Sequence, residues 1–173
     1  MTTKSPTNYR MTNPIIVADS SPLIALAIID QLRLLPQLYR QVLAPPTVWH
    51  EVTIQGAGLP GALAVSQVNW LDIQVPDPTS VKPLSILLDQ GEAEAIALAK
   101  SISASSILLD DAQARRVAER LQIPRIGTLG ILRRAKRAGF ISEIKPYIEQ
   151  LQVSGIYIRS NLAAMILQDV GEL

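Results

Sequence analysis

An α/β fold with a mainly parallel sheet between layers of helix follows from three observations. Short apolar, β-rich runs at residues 15–17, 42–44 and 106–109 alternate with longer helix-forming segments, which is the rhythm of βαβ units. Apolar residues make up 48% of the 173 and charged residues 18%, enough to bury the core of one domain with at most a small appendage. Aromatics are only 4%, so Ala, Leu, Ile and Val fill that core, which suits helices laid on a sheet.

Residues 1–14 are polar, with Lys4 and Arg10 scattered and no apolar stretch, and read as a loose tail without a signal peptide. Ile15-Ile16-Val17 is a buried strand, stopped by Asp19-Ser20-Ser21, with Pro22 where a helix would begin. Apolar positions are dense from 23 to 38, and Asp30 and Pro36 divide that stretch into two short helices. Val42-Leu43-Ala44 is a strand closed by Pro45-Pro46; Thr47 is the expected N-cap of a helix over 47–52. Gly56, Gly58, Pro60 and Gly61 make the next segment a loop or a short, mobile helical piece.

Residues 69–75 alternate Trp70, Asp72 and Gln74 against Leu71, Ile73 and Val75, a strand ended by Pro76-Asp77-Pro78. The run 88–99 is strongly helix-forming, with Asp89 or Gln90 preceding the helix and Glu92 in its first turn. Ser106-Ile107-Leu108-Leu109 is a further buried strand and runs into Asp110-Asp111. A helix over 112–121 turns Ala114, Val117, Ala118 and Leu121 inward, and 123–126 is an edge strand because it holds Pro124. Residues 127–130 turn into a helix over 131–138 closed by Gly139, Ser142 caps another reaching about 151, and 161–170 is a last amphipathic helix.

Several chemistries are excluded at once. With no cysteine there is no disulfide, thiolate metal site or cysteine nucleophile. The single histidine, His50, cannot build a histidine zinc site, and between Trp49 and Glu51 it reads as a surface or packing residue. No apolar run approaches the roughly 20 residues that span a bilayer, so no membrane contact is expected, and a cytoplasmic location fits the absence of cysteine. Acid–base or metal chemistry must rest on carboxylates.

Acids stand beside strand ends or helix starts at Asp19, Glu51, Glu92 and Asp110-Asp111. Open α/β sheets place ligands at such positions. Alone, Asp19 reads better as a helix cap than as a ligand. Glu92 and Glu94, two apart, point about 200° from each other on a helix, so only one can face a given site, and Glu92 lies nearer the helix start. Oxygen ligands without His or Cys suit Mg²⁺ or Mn²⁺, and clustered carboxylates repel unless a cation offsets them.

In order and spacing these stretches resemble the PIN-domain family. Ile16-Val17-Ala18-Asp19-Ser20-Ser21-Pro22-Leu23-Ile24 looks like its opening motif, and Ala44-Pro45-Pro46-Thr47-Val48-Trp49-His50-Glu51-Val52 resembles its second. Asp89-Gln90-Gly91-Glu92-Ala93-Glu94, followed by Ile107-Leu108-Leu109-Asp110-Asp111, is similar to the later two, and Gly127-Thr128-Leu129-Gly130 to a feature of a poorly characterised prokaryotic branch. The resemblance covers 15–155, leaving 156–173 as a C-terminal helical extension packed on the domain. It implies a PIN-like three-layer α/β/α sandwich and a Mg²⁺- or Mn²⁺-dependent ribonuclease acting on single-stranded RNA. Many small relatives are toxins of type II toxin–antitoxin pairs, so an antitoxin or a homodimer is the partner it suggests. Carried over by motif, Asp19, Glu51, Glu92 and Asp110 or Asp111 are the catalytic metal ligands, with Ser20 or Ser21 orienting Asp19. The chain departs from the pattern in having Glu at 92, where many PIN domains have Asp, and Asp110-Asp111 in place of Thr-x-Asp. Those departures motivate the alternative of a catalytically weak or inactive nucleic-acid-binding or regulatory module. A phosphotransfer receiver is a weaker third reading, disfavoured by the lack of a matching lysine after a late strand.

The chain is near neutral at +1, yet nine of its cations fall within 112–145 against only Glu119 and Glu143. Arg115, Arg116, Arg133, Arg134 and Arg137 are candidates to guide a phosphate backbone. Each alone is as well explained as a solvated helix face.

Overall fold

The structure, a computed structural model, describes residues 14–173; the tail expected over 1–14 therefore lies outside the described residues except for Pro14. Among the described residues five parallel strands form one sheet in the order β3-β2-β1-β4-β5. They are β1 (Ile15–Ala18), β2 (Gln41–Ala44), β3 (Leu71–Ile73), β4 (Ser106–Leu108) and β5 (Arg125–Ile126). The chain leaves β1 in one direction to lay β2 and β3, then returns to its other side for β4 and β5. The β1/β4 boundary is thus the switch point, where a crevice opens at the carboxyl ends of the strands. In register, Ile16, Val17 and Ala18 pair with Ser106, Ile107 and Leu108.

Period-2 alternation sends each strand's side chains into two cores. Ile16 and Ala18 join Val42, Ala44 and Leu108 on one face, under helices α1 (Ser20–Ile28), α2 (Leu34–Leu38), α8 (Thr128–Arg137) and α9 (Lys145–Val153). Val17 joins Leu43, Ile107 and Leu109 on the other, under α6 (Gln90–Ser101) and α7 (Ala112–Arg120). This three-layer α/β/α arrangement is the one expected. Among the described residues no helix is long and apolar enough to cross a membrane.

Local deviations have local causes. The break between α1 and α2 comes at Asp30, whose φ of 55° ends the first helix; Pro36 sits inside α2 without breaking it. Helix α3 (Pro46–His50) starts one residue early, with Pro45 rather than Thr47 at the cap, and runs into a π-helical turn, Glu51–Gln55. Gly56 closes that turn because a Cβ there would stand 2.6 Å from the Val52 carbonyl oxygen. The glycine-rich segment leads to a short α4 (Ala62–Ser66). β3 is shorter than the alternation over 69–75, its outer residues Asp72 and Ile73 being exposed at the sheet edge. β5 lies at the opposite edge, as Pro124 requires.

After β3, Asp77 caps an unforeseen one-turn α5 (Pro78–Val81). Helix α8 takes in the residues expected as a turn, because Gly127 already has extended cap geometry and Gly130 lets the first turn press on Ile126. Ser142 does not cap α9. The amides of Ile144 and Lys145 instead donate to the carboxylate of Glu172, which also pairs with Lys136 Nζ at 2.6 Å. The last helix, α10 (Ser160–Asp169), buries Ala163 and Ile166.

Candidate active site

Asp19 leaves the end of β1 with its amide still bonded to the Leu108 carbonyl across the switch point, at 3.1 Å. It occupies the N-cap position of α1, but its carboxylate makes no capping bond. The side chain is 3% exposed, and Oδ1 is buried without a hydrogen-bond partner. Burial pushes its pKa up to about 7, against the pull of the Ser20 amide and with added repulsion from Glu92, Asp89 and Glu51. A buried carboxylate oxygen without a partner is expensive to hold. The cap reading therefore fails at Asp19.

The surrounding acids come from three further elements. Glu51, where α3 passes into the π turn, accepts a hydrogen bond from Ser20 Oγ to Oε2 at 2.9 Å. Its carboxylate lies flat against Gly91, where a Cβ would sit 2.8 Å from Oε2; α6 approaches this closely only because residue 91 has no side chain. Burial raises the Glu51 pKa, the Ser20 bond lowers it, and Asp89 and Glu94 raise it again. Glu92 stands in the first turn of α6 and forms a capping box with Asp89, each side chain accepting the other's amide. Burial first, then Asp89 and Asp111, raise Glu92 to about 7.

The Asp110-Asp111 pair divides. Asp110 turns toward the start of α8, accepting from the Thr128 amide at 2.8 Å and its hydroxyl at 2.5 Å. Asp111 caps α7 by accepting from the amides of Gln113 and Ala114, and its charge reaches Glu92. Asp19, Glu51, Glu92 and Asp111 thus form one electrostatic group, and Asp110 lies beside it in a bonded cradle. The Ser20 hydroxyl bonds to Glu51 and not to Asp19, and Ser21 is exposed. Asp89 was missed as a group member. Its signal was the Asp-x-x-Glu cap pattern, which places two acids at one helix start. Among the described residues no three His, Cys, Asp or Glu side chains are grouped closely enough to hold a metal ion.

The basic candidates scatter. Arg115 donates to the Leu109 carbonyl at 2.8 Å beside Asp110, and Arg116 is exposed. Arg134 donates to Tyr39 Oη at 2.6 Å, and Arg137 and Arg133 reach Asp169 of α10 at 2.6 and 3.6 Å. The last three thus serve α8 packing in this state.

A family model described as "DUF3368: PIN domain" matches residues 15–172. The chain belongs to the PIN-domain family. No curated protein sequence matches it significantly. PIN domains are generally of nuclease type and typically use divalent metal ions. The matched segment takes in α10 as well as the sheet. The donor set of this PIN domain fits a hard divalent cation: the buried, unpartnered Asp19 Oδ1 and the mutual repulsion of the acids are both relieved by positive charge. The spacing of these side chains does not hold one as they stand, and Glu92 is engaged in its capping box with Asp89.

Proposed function

We propose that this PIN domain is a Mg²⁺- or Mn²⁺-dependent endoribonuclease acting on single-stranded RNA. The observation that carries the reading is Asp19, a buried carboxylate with a free oxygen, surrounded by acids at the switch point of a parallel sheet. Asp19, Glu51, Glu92 and Asp111 would hold the cation. When bound, it supplies positive charge that stabilises attack at a phosphodiester. Ser20 fixes the Glu51 carboxylate, and the Thr128 cradle holds Asp110 beside the site. Arg115 and Arg116, in the first turns after Asp111, attract the RNA backbone toward the acids, while Arg133, Arg134 and Arg137 extend the positive field along α8.

Cytoplasmic action, and service as the toxin of a type II toxin–antitoxin pair with an antitoxin or a second copy as partner, belong to the same reading and rest on family resemblance. A short reading frame beside this gene would support the toxin role. The direct test is cleavage of a labelled single-stranded RNA with Mg²⁺ or Mn²⁺: wild type should cut, and Asp19→Asn should not. Equal cutting by both would defeat the reading. A second reading, a PIN domain that binds nucleic acid with little turnover, is favoured by the engagement of Glu92 in its capping box. Tight RNA binding without cleavage at any metal concentration would select it.

A further inference from the structure

Beside the acids lies an open cleft of about 590 Å³, between the chain after β3 and the first turns of α6. Pro46, Val75 and Pro76 are among its apolar walls, and Lys82, Ser85, Gln90 and Glu94 supply its polar groups. It adjoins the site through two shared elements. Pro46 opens the helix that leads to Glu51, and Glu94 is close enough to raise the Glu51 pKa. Gln90 and Glu94, one turn apart on α6, share the face opposed to that of Glu92.

The polar groups are arranged as a reader of hydrogen bonds. Gln90 Nε2 donates to Glu94 Oε1 at 2.7 Å, which orients the carboxylate in the empty cleft. Glu94 Oε2 is buried without a partner. Lys82 is exposed and makes no ion pair among the described residues. Val75 is 77% exposed, an apolar side chain left in water at the cleft wall. A flat apolar ligand with donors on one edge and an anionic tail would cover Val75 and satisfy both Oε2 and Lys82.

We infer that this cleft is a base-specificity subsite for RNA: it takes guanine from a nucleotide next to the scissile phosphate, with Glu94 accepting from the base edge. The inference rests on the nuclease reading for the nature of the strand. Guanine is favoured because N1–H and the N2 amino group are adjacent donors that match one carboxylate, whereas adenine and cytosine offer one amino group and uracil one imino group. Apolar walls remove the base faces from water, and single-stranded RNA is read by such edge contacts on splayed bases. Rotation about the soft carboxylate torsion exchanges the Gln90 bond for the base edge and brings Oε2 to the ligand. Lys82 meets the phosphate.

The test is fluorescence anisotropy with labelled oligouridylates carrying one central G, A, C or U, using the full chain bearing Asp19→Asn with Mg²⁺ so that binding is read without turnover. The G oligomer should bind about tenfold tighter than the others, the scale of one two-bond base contact. Adding Glu94→Gln should bring the ratio to about one, because the amide turns a donor toward N1–H. Lys82→Ala should weaken all four oligomers alike. Thermal melts confirm that each variant folds, and Glu94→Asp, should Gln fail, is expected to keep a reduced preference. Equal binding of the four oligomers, no binding of any, or a preference that survives Glu94→Gln would overturn the inference. The nuclease reading fails separately: guanine preference with no cleavage by wild type removes that reading and leaves the subsite, and cleavage without base preference does the reverse.

Discussion

Replacing Asp19 by Asn should make the metal-free protein more stable at pH 8 and bring it level with wild type or below it at pH 5. In the unfolded chain this carboxyl titrates near 3.9, and in the fold it is pushed up to about 7. The fold therefore holds a proton that the unfolded chain has released. Stability falls as pH rises from about 4 to about 7 and is level above that. At about 1.4 kcal/mol per pH unit, this difference in proton affinity costs the fold about 4 kcal/mol at pH 8 and about 1.5 kcal/mol at pH 5. An asparagine amide carries no charge but still needs partners, a penalty of roughly 1–3 kcal/mol when buried. The expected net gain is about 1–3 kcal/mol at pH 8, shrinking by about 2.5 kcal/mol at pH 5. Urea unfolding in EDTA at the two pH values measures both numbers. Added Mg²⁺ should then raise the melting temperature of wild type and leave the variant unmoved. A variant destabilised equally at both pH values would refute the reasoning, because Asp19 would then be making bonds that its charge does not oppose.

Removing the Ser20 hydroxyl with Ser20→Ala frees Glu51 Oε2, so the Glu51 pKa should climb further and cation affinity, followed by calorimetry, should fall about tenfold. Gly91→Ala puts a Cβ 2.8 Å from the same carboxylate; it should displace α6 from Glu51, lowering activity more than the roughly 1 kcal/mol of helix propensity it contributes. Glu172→Gln loses the charge that caps α9 and pairs with Lys136, and chemical denaturation should show about 1.5–3 kcal/mol less stability at pH 7. These contacts hold the Glu172 pKa below the ordinary glutamate value, so the difference between wild type and variant should vanish as pH falls through it; a constant difference would show that packing, not charge, is lost.

How much of this was legible in the sequence depends on the range of the interaction. The presence of each strand, the edge placement of β5 and the start of α6 depend on a few adjacent residues, such as Pro124 and the Asp89–Glu92 box, and they emerge as read, although β3, β4 and β5 are shorter than expected. The pairing of β1 with β4, which brings Asp19 beside Asp110-Asp111, is present but has no mark in either strand's own residues. Contacts between distant segments were not legible. Nothing near Ser142 announces that Glu172 will cap α9. The choice between Asp110 and Asp111 depends on where α8 delivers Thr128, a tertiary fact. The π turn after His50 has no mark in the apolar pattern. Periodicity placed Arg133 and Arg137 on an outer face but could not show Asp169 waiting there.

The switch point also sets a timetable. Ile15 and Ser105, whose amide and hydroxyl join at 3.0 Å, are 90 residues apart. β1 is therefore synthesised long before its neighbour β4, and Asp19 waits without Asp111 while about half of the chain is made. Parallel pairing over such a separation is slow even in the finished chain. The carboxylates of the site are thus kept apart until β4 joins β1, well into the second half of the chain's own synthesis.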